Sequence, residues 1–202
     1  MTKVYFIRHA QSDFTVSNSR IRPLTEKGRN DCRLVTEFLS DKNIDMVFSS
    51  PFKRAVDTLA NFAEINNFEI QTIEDFREYR GDSTAKIDRN AKYFSDNNDF
   101  SLFLEKQWAD FSYKISDGEC LAEIQERNIT ALKELLIEHK EKNIVIGTHG
   151  IALSTIINYY DSTFGFKNFL EMADIMPWVV KMAFDENSCV KIEKIDLLME
   201  VK

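Results

Sequence analysis

Cysteine is scarce in this sequence, and the cysteines are too widely spaced to form a CxxC pair or another cluster of thiols. Cys32, Cys120 and Cys189 are spread over 202 residues, and none forms a CxxC pair. An odd number of cysteines cannot be fully paired within one chain. We therefore expect free thiols in a reducing compartment rather than a disulfide framework.

Long apolar runs are also missing. No stretch approaches the roughly 20 consecutive apolar residues that span a bilayer. A strand-like run begins at Lys3, without a basic region and a signal-type apolar segment before it. The expected location is the cytoplasm, with no membrane partner. Repeats, low-complexity tracts and linkers are absent too, which predicts a single domain over residues 1–202.

Positive charge is in deficit. Asp and Glu number 33 against 26 Lys and Arg, which gives a formal net charge of −7. Such a surface repels nucleic-acid phosphates, so no nucleic-acid partner is expected. It repels phosphorylated metabolites as well. A phosphate site in this chain therefore requires a local cluster of positive groups.

The sequence does contain an alternation of strand patterns and amphipathic helix patterns. Apolar runs at residues 3–7, 46–48, 69–73 and 144–147 predict strands, and helical spacing of apolar residues separates them. A hairpin pattern, with arms at residues 178–184 and 190–198, surrounds residues 185–188. This alternation predicts an α/β fold, a three-layer α/β/α sandwich with a mostly parallel central sheet.

Residues 76–117 interrupt the alternation. They are polar and aromatic by turns, with short helical stretches. Connections longer than about 12–15 residues within a domain usually serve as lids or inserted subdomains. We predict an insertion or lid at about residues 76–117.

Arginine and histidine follow the predicted strands directly. Arg8 and His9 end the first strand, Arg54 lies in the first turn of the helix after the second, and His149 ends the fourth. Ligands of open α/β sheets bind outside the carboxyl ends of the strands, so we expect these residues to converge. Guanidinium groups match phosphoryl oxygens with two parallel hydrogen bonds. The sequence thus predicts an anion pocket in an acidic protein.

His9 is the predicted nucleophile of this pocket. A neutral imidazole attacks phosphorus, and the ordinary histidine pKa of about 6.5 leaves much of it neutral at cellular pH. Neighbouring guanidinium groups disfavour a second positive charge on His9. The same two arginines would repel a divalent cation, so His9 and His149 are not expected to bind a metal.

Five blocks in this order resemble motifs of the histidine phosphatase superfamily, the phosphoglycerate-mutase-like proteins. They are Arg8-His9-Ala10-Gln11-Ser12, Leu24-Thr25-Glu26-Lys27-Gly28, Ser49-Ser50-Pro51-Phe52-Lys53-Arg54-Ala55-Val56-Asp57-Thr58, Asp117-Gly118-Glu119-Cys120 and Thr148-His149-Gly150. The resemblance covers residues 3 to about 160. It implies that His9 becomes phosphorylated and that Arg8, Arg54 and His149 bind the phosphoryl group of the substrate. It implies no metal and no organic cofactor.

The general acid is expected in the block Phe76-Arg77-Glu78-Tyr79-Arg80-Gly81, which is similar to the family's Glu-containing stretch after the third strand. Glu78 fits best, and Glu74 and Asp75 are nearby alternatives. Ala10 departs from the usual Gly, which is compatible with the turn unless the residue needs a positive φ.

We predict a phosphatase that acts through a phosphohistidine on a small phosphorylated metabolite. The alternative is phosphotransfer of the cofactor-dependent phosphoglycerate mutase type. The segment between Ser12 and Pro23 lacks the Asn and Thr-Gly pattern of those mutases, which favours the phosphatase. A non-catalytic phospho-ligand binding module is a third reading, and the presence of all four pocket residues argues against it. The natural substrate is open, as is the choice between monomer and homodimer.

Overall fold

The structure is a computed structural model that describes residues 1–81 and 99–200. Within these residues six strands form one sheet, in the order β3-β2-β4-β1-β5-β6. The strands are β1 (Thr2–Arg8), β2 (Met46–Ser49), β3 (Ile70–Thr72), β4 (Asn143–Thr148), β5 (Trp178–Asp185) and β6 (Ser188–Ile195). Neighbouring strands from β3 to β1 are parallel, and β5 and β6 are antiparallel. The predicted mostly parallel sheet is confirmed.

Helices cover both faces of the sheet. They are α1 (Glu26–Leu39), α2 (Lys53–Ile65), α3 (Asp99–Ala109), α4 (Leu121–Glu138), α5 (Gly150–Tyr160), α6 (Phe166–Met172) and α7 (Leu197–Glu200), with a 3₁₀ turn at Glu74–Phe76. Side chains alternate along β1, so Tyr5 and Ile7 pack with α1, α2 and α7, whereas Val4 and Phe6 pack with α3 to α6. This arrangement is the predicted three-layer sandwich.

The parallel strands end at one edge of the sheet, and their registers bring the predicted site residues together. Arg8 of β1 is opposite Thr148 of β4, and Ser49 of β2 is opposite Gly147. The His9 amide donates to the Thr148 carbonyl (3.0 Å) and the Ser50 amide to that of Gly147 (2.8 Å). The pairing therefore continues one residue beyond the strands, and the chain segments at His9, Ser50 and His149 leave the sheet side by side.

Two elements differ from the sequence expectations. The last strand ends at Ile195 and is followed by the short helix α7, whereas the apolar pattern extended the strand to Leu198. Helix α6 was not predicted, because seven residues are too short to show a helical period.

Part of the predicted insertion lies in the described residues. Residues 82–98 lie outside them, and α3 follows. Phe103 and Leu104 of α3 are buried in the same cluster as Phe76 and the core of α4. The insertion or lid at about 76–117 stays a prediction.

Cys32, Cys120 and Cys189 carry free thiols. Across residues 1–81 and 99–200, no helix combines the length and apolar character that crossing a membrane requires.

Gly28 determines how closely α1 approaches the segment that follows His9. A Cβ at this position would lie 2.1 Å from the carbonyl oxygen of Gln11, a backbone atom that cannot turn aside. Thr25, the N-cap of α1, also donates to Gln11 and accepts from the Gly28 amide. The Leu24–Gly28 block therefore fixes the first turn of α1 against the segment that follows His9.

We expect Gly28→Ala to lower the free energy of unfolding by about 2–3 kcal/mol, because the methyl group overlaps backbone. Urea denaturation measures this loss. Gly165→Ala is the matched control, since no described atom lies within 4 Å of the added methyl there. The free energy of unfolding of Gly165→Ala should fall by less than about 1 kcal/mol, the usual effect of a substitution at an N-cap, which is the position of Gly165 in α6. Equal losses in both variants would contradict the steric explanation.

Candidate active site

His9 is held in one orientation by hydrogen bonds at both ring nitrogens. Its Nδ1 lies 2.7 Å from the carbonyl oxygen of Ala10, which only accepts, so Nδ1 carries the hydrogen. Nε2 therefore has its lone pair free to accept, and Arg54 Nε donates to it at 2.9 Å. The side chain is buried, with 5% exposure. The structure thus holds a neutral imidazole with a defined tautomer.

Burial lowers the pKa of His9 well below its ordinary value, and the positive charges of Arg54 and Arg8 lower it further. The hydrogen bond to the Ala10 carbonyl opposes this shift without cancelling it. A histidine in this setting stays unprotonated at neutral pH and retains its lone pair.

Ala10 is fully buried and is not among the residues with positive φ. Its amide donates to the Thr58 hydroxyl (3.0 Å), and that hydroxyl donates to the Arg54 carbonyl (2.7 Å). The methyl group is accommodated because no left-handed conformation is required here. Thr58 thereby joins the turn after His9 to the helix that carries Arg54.

Arg8 and Arg54 are fixed by carbonyl groups from distant parts of the chain. Arg8 Nη1 donates to the carbonyls of Met172 (2.7 Å) and Ile175 (3.1 Å). Arg54 Nη1 donates to the Ser19 carbonyl at 2.6 Å. These carbonyl groups fix the orientation of both guanidinium groups.

His149 lies beside His9, with ring centroids 5.2 Å apart. Its side chain has no exposed surface, and burial followed by the charge of Arg54 lowers its pKa well below the ordinary value. Nε2 lies 2.7 Å from Ser50 Oγ, which accepts from the Phe52 amide at 3.2 Å. Nδ1 is buried and makes no hydrogen bond to any described residue.

Glu78 lies at the N-terminus of α5, the helix that begins directly after His149. Its carboxylate accepts from the amides of Ile151 (3.4 Å) and Ala152 (3.3 Å). Glu74 is instead exposed and forms a two-fold ion pair with Arg20, at 2.9 and 2.8 Å. Of these two carboxylates, Glu78 is the one that contacts the helix following His149.

Three residues that contact the predicted site residues or their segment were not expected from the sequence: Ser19, Glu119 and Arg127. Ser19 anchors Arg54, and Glu119 and Arg127 form a buried ion pair next to Glu78. Glu119 belongs to a block that resembles a family motif, so the sequence could have indicated that it matters to the site. Arg127 has no such signal, because it lies among charged residues of α4 that look solvated in the sequence.

Within residues 1–81 and 99–200, no three or more His, Cys, Asp or Glu side chains are grouped so that they could hold an ion. The predicted site residues that lie near one another here are the two histidines, the two arginines and Glu78.

The fold and the paired histidines and arginines define a histidine phosphatase architecture. The chain belongs to the histidine phosphatase superfamily (branch 1), whose family model matches residues 4–175. The predicted family and fold are confirmed.

Relatives with known names include phosphatases and mutases. Phosphoserine phosphatase 1 of Hydrogenobacter thermophilus is 26% identical over 170 residues, which cover 76% of this chain and 73% of that protein. A probable phosphoglycerate mutase of Serratia proteamaculans is 26% identical, covering 78% of this chain and 74% of the mutase. A solved mycobacterial glucosyl-3-phosphoglycerate phosphatase superposes with a TM-score of 0.70 at 18% identity, covering 95% of this chain and 96% of that one.

The two buried histidines should make the protein less stable in mild acid. Their pKa values are lowered in the folded state, whereas unfolded histidine titrates near 6.5. Below that pH the unfolded chain binds more protons, so the free energy of unfolding falls as the pH falls. Each histidine should cost up to about 1.4 kcal/mol per pH unit, until the pH reaches its lowered pKa.

Urea denaturation at pH 7 and at about pH 5.5 measures this effect. The double variant His9→Asn, His149→Asn should lose less stability over the same interval, because neither asparagine titrates. A loss as large as that of the wild type would show that other groups cause the acid sensitivity.

Proposed function

We propose that this protein is a phosphomonoesterase that hydrolyses small phosphorylated metabolites through a phosphohistidine on His9. The observation that carries the proposal is the state of His9: it is buried and neutral, its tautomer is fixed, and the lone pair on its Nε2 faces Arg54. This is what a histidine nucleophile toward phosphorus requires.

Arg8, Arg54 and His149 bind the phosphoryl group in this proposal. In the free protein the Nε2 lone pair of His9 accepts from Arg54. A phosphoryl group placed against Nε2 offers its oxygens to Arg54, which releases the lone pair for attack. Since phosphoryl transfer depends mainly on positioning and charge stabilisation, the two fixed guanidinium groups supply much of the catalysis.

His149 acts as a neutral donor to the phosphoryl group. Ser50 Oγ accepts from the Phe52 amide, so its own hydrogen is available for Nε2 of His149. Nδ1 then carries the ring hydrogen and is the buried donor without a partner among the described residues. A phosphoryl oxygen is the partner that would satisfy it.

The reaction has two steps. Nε2 of His9 attacks phosphorus, the P–O ester bond breaks, and the Glu78 carboxylic acid gives its proton to the leaving oxygen. The Glu78 carboxylate then takes a proton from water, whose oxygen attacks phosphorus and breaks the P–N bond. The N-terminus of α5 stabilises the carboxylate between the two steps.

Hydrolysis is favoured over mutase chemistry because the relatives named above include phosphatases and the segment from Ser12 to Pro23 lacks the mutase pattern. Phosphoserine and phosphoglycerate compounds are the first substrates to assay, since those relatives are named for them. Conversion of 3-phosphoglycerate, with and without bisphosphoglycerate, separates the two activities. A phosphatase releases phosphate, and a mutase produces the 2-isomer only when the bisphosphate is present.

We expect His9→Ala to abolish phosphate release from p-nitrophenyl phosphate while the protein remains folded, because the variant lacks the nitrogen that attacks phosphorus in this mechanism. Circular dichroism checks the fold. His139→Ala is the control, since this third histidine ends α4 and packs on Phe48, a residue of the core. Retained turnover in His9→Ala would refute the phosphohistidine mechanism.

Glu78→Gln should lower kcat/KM for an alkyl phosphate by about 10²–10⁴-fold, the usual contribution of general acid catalysis. The loss should be much smaller with p-nitrophenyl phosphate, because nitrophenolate departs without a proton. Since kcat/KM reports on steps up to the departure of the leaving group, the later water step does not obscure this comparison.

Glu74→Gln is the matched control for the general acid. It makes the same chemical change in an exposed ion pair, whose loss costs about 0–1 kcal/mol of stability. Its kcat/KM should stay near that of the wild type for both substrates. If Glu74→Gln instead loses kcat/KM selectively for the alkyl phosphate while Glu78→Gln stays active, then Glu74 is the general acid.

A further inference from the structure

A buried ion cluster surrounds the segment that carries Glu78. Glu119, which is 6% exposed, lies two residues before α4. Its Oε1 accepts from Arg77 Nη2 (2.5 Å) and Arg127 Nε (3.1 Å), and its Oε2 accepts from the Arg80 amide (2.7 Å). The Glu119 amide donates back to the Arg80 carbonyl at 3.0 Å. This one carboxylate therefore holds the chain on both sides of Glu78.

Arg127 binds the same segment from α4. Its Nη1 donates to the carbonyl of Arg77 (2.9 Å) and to that of Asp75. Its Nε meanwhile is bonded to Glu119. We call Glu119 and Arg127, with these bonds to residues 75–80, the Glu78 clamp.

The segment needs this support because it has little order of its own. After the 3₁₀ turn ends at Phe76, no helix or strand covers residues 77–81. The two bonds that the Glu78 carboxylate makes to α5 are 3.3 and 3.4 Å long, near the upper limit for a hydrogen bond. Its third bond, from the Tyr79 amide (3.0 Å), comes from the same segment and does not tie that segment to the rest of the fold. These bonds therefore leave the position of the segment to other contacts.

Stability alone is a poor explanation for the cluster. Burial lowers the pKa of Arg127, and the like charge of Arg77 adds to that shift, while Glu119 opposes it. Arg127 Nη2 and Arg77 Nη1 are buried and make no hydrogen bond to any described residue. Buried ion pairs of this kind often stabilise a fold no better than apolar residues of the same volume would.

We propose that Glu119 and Arg127 are positioning residues that hold Glu78 where it delivers its proton to the leaving oxygen. The proposal rests on the phosphatase function above and on Glu78 as its general acid. It assigns the cluster a role in one step of the reaction, the departure of the leaving group.

Leaving-group dependence tests this role. Arg127→Met keeps the apolar stem of the side chain and removes its charge and donors. We expect kcat/KM to fall at least about 10-fold more for phosphoserine than for p-nitrophenyl phosphate, because only the alkyl leaving group needs the proton. Arg127→Lys keeps the charge and should recover part of the loss.

A double-mutant cycle connects the clamp to its target. If Arg127 acts through Glu78, adding Arg127→Met to Glu78→Gln should change kcat/KM for phosphoserine by less than about two-fold. If the kcat/KM losses of the two single variants instead multiply in the double variant, then Arg127 acts independently of Glu78. That result would overturn the proposal.

Controls separate positioning from general destabilisation. Leu136→Ala removes a buried side chain from the same helix, and Arg33→Met makes the same change at an exposed position of α1. Neither should alter the ratio between the two substrates. If Arg127→Met does not fold, Glu119→Gln keeps the volume and one acceptor and gives the same comparison.

Equal losses on both substrates in the clamp variants, with a selective loss in Glu78→Gln, would overturn the clamp and leave the proposed function intact. If Glu78→Gln itself shows no selective loss, then the general acid assignment fails and the clamp fails with it. If the wild type does not hydrolyse either phosphate, the proposed function is wrong.

Discussion

The hydrogen bond from Arg54 Nε to His9 Nε2 is the contact on which the rest of the site depends. It joins residues that are 45 positions apart in the chain, on segments that follow β1 and β2. These strands are not neighbours, because β4 lies between them. The bond therefore forms only when three parallel strands are in register, and His149 at the end of β4 is brought between the two segments by the same pairing.

Positive charge is concentrated around this bond, since Arg8 and Arg54 both act on His9. Carbonyl groups hold Arg8 and Arg54, and burial combined with their charges keeps both histidines neutral. Burying these groups lowers the stability of the fold, as is common at functional sites. An acidic chain can therefore attract a phosphate group locally, although its overall charge opposes the approach.

The sequence was sufficient to predict the parts of the site that follow strands. Arg8, His9, Arg54 and His149 were expected to converge because each comes directly after a strand pattern, and the structure brings them together. Glu78 required a family resemblance as well, since two other carboxylates precede it within four residues.

Other parts of the site depend on contacts between distant residues, which no local sequence pattern can predict. Thr58 binds the turn at Ala10, 48 residues away, and Arg127 of α4 binds the Asp75 carbonyl, 52 residues away. Helix α6 is too short to have a detectable period, yet the Met172 carbonyl at its end anchors Arg8. These features follow from the packed fold and not from the residues next to them in the chain.

The position of β1 has a consequence for the newly made protein. This first strand lies between β4 and β5, and Arg8 is held by carbonyl groups 164 and 167 residues further on. During synthesis His9 is made well before the strands that flank β1 and before the carbonyl groups that anchor Arg8. Such distant pairing slows folding. A chain that stops before β4 would therefore carry His9 without the residues that surround it in the folded protein.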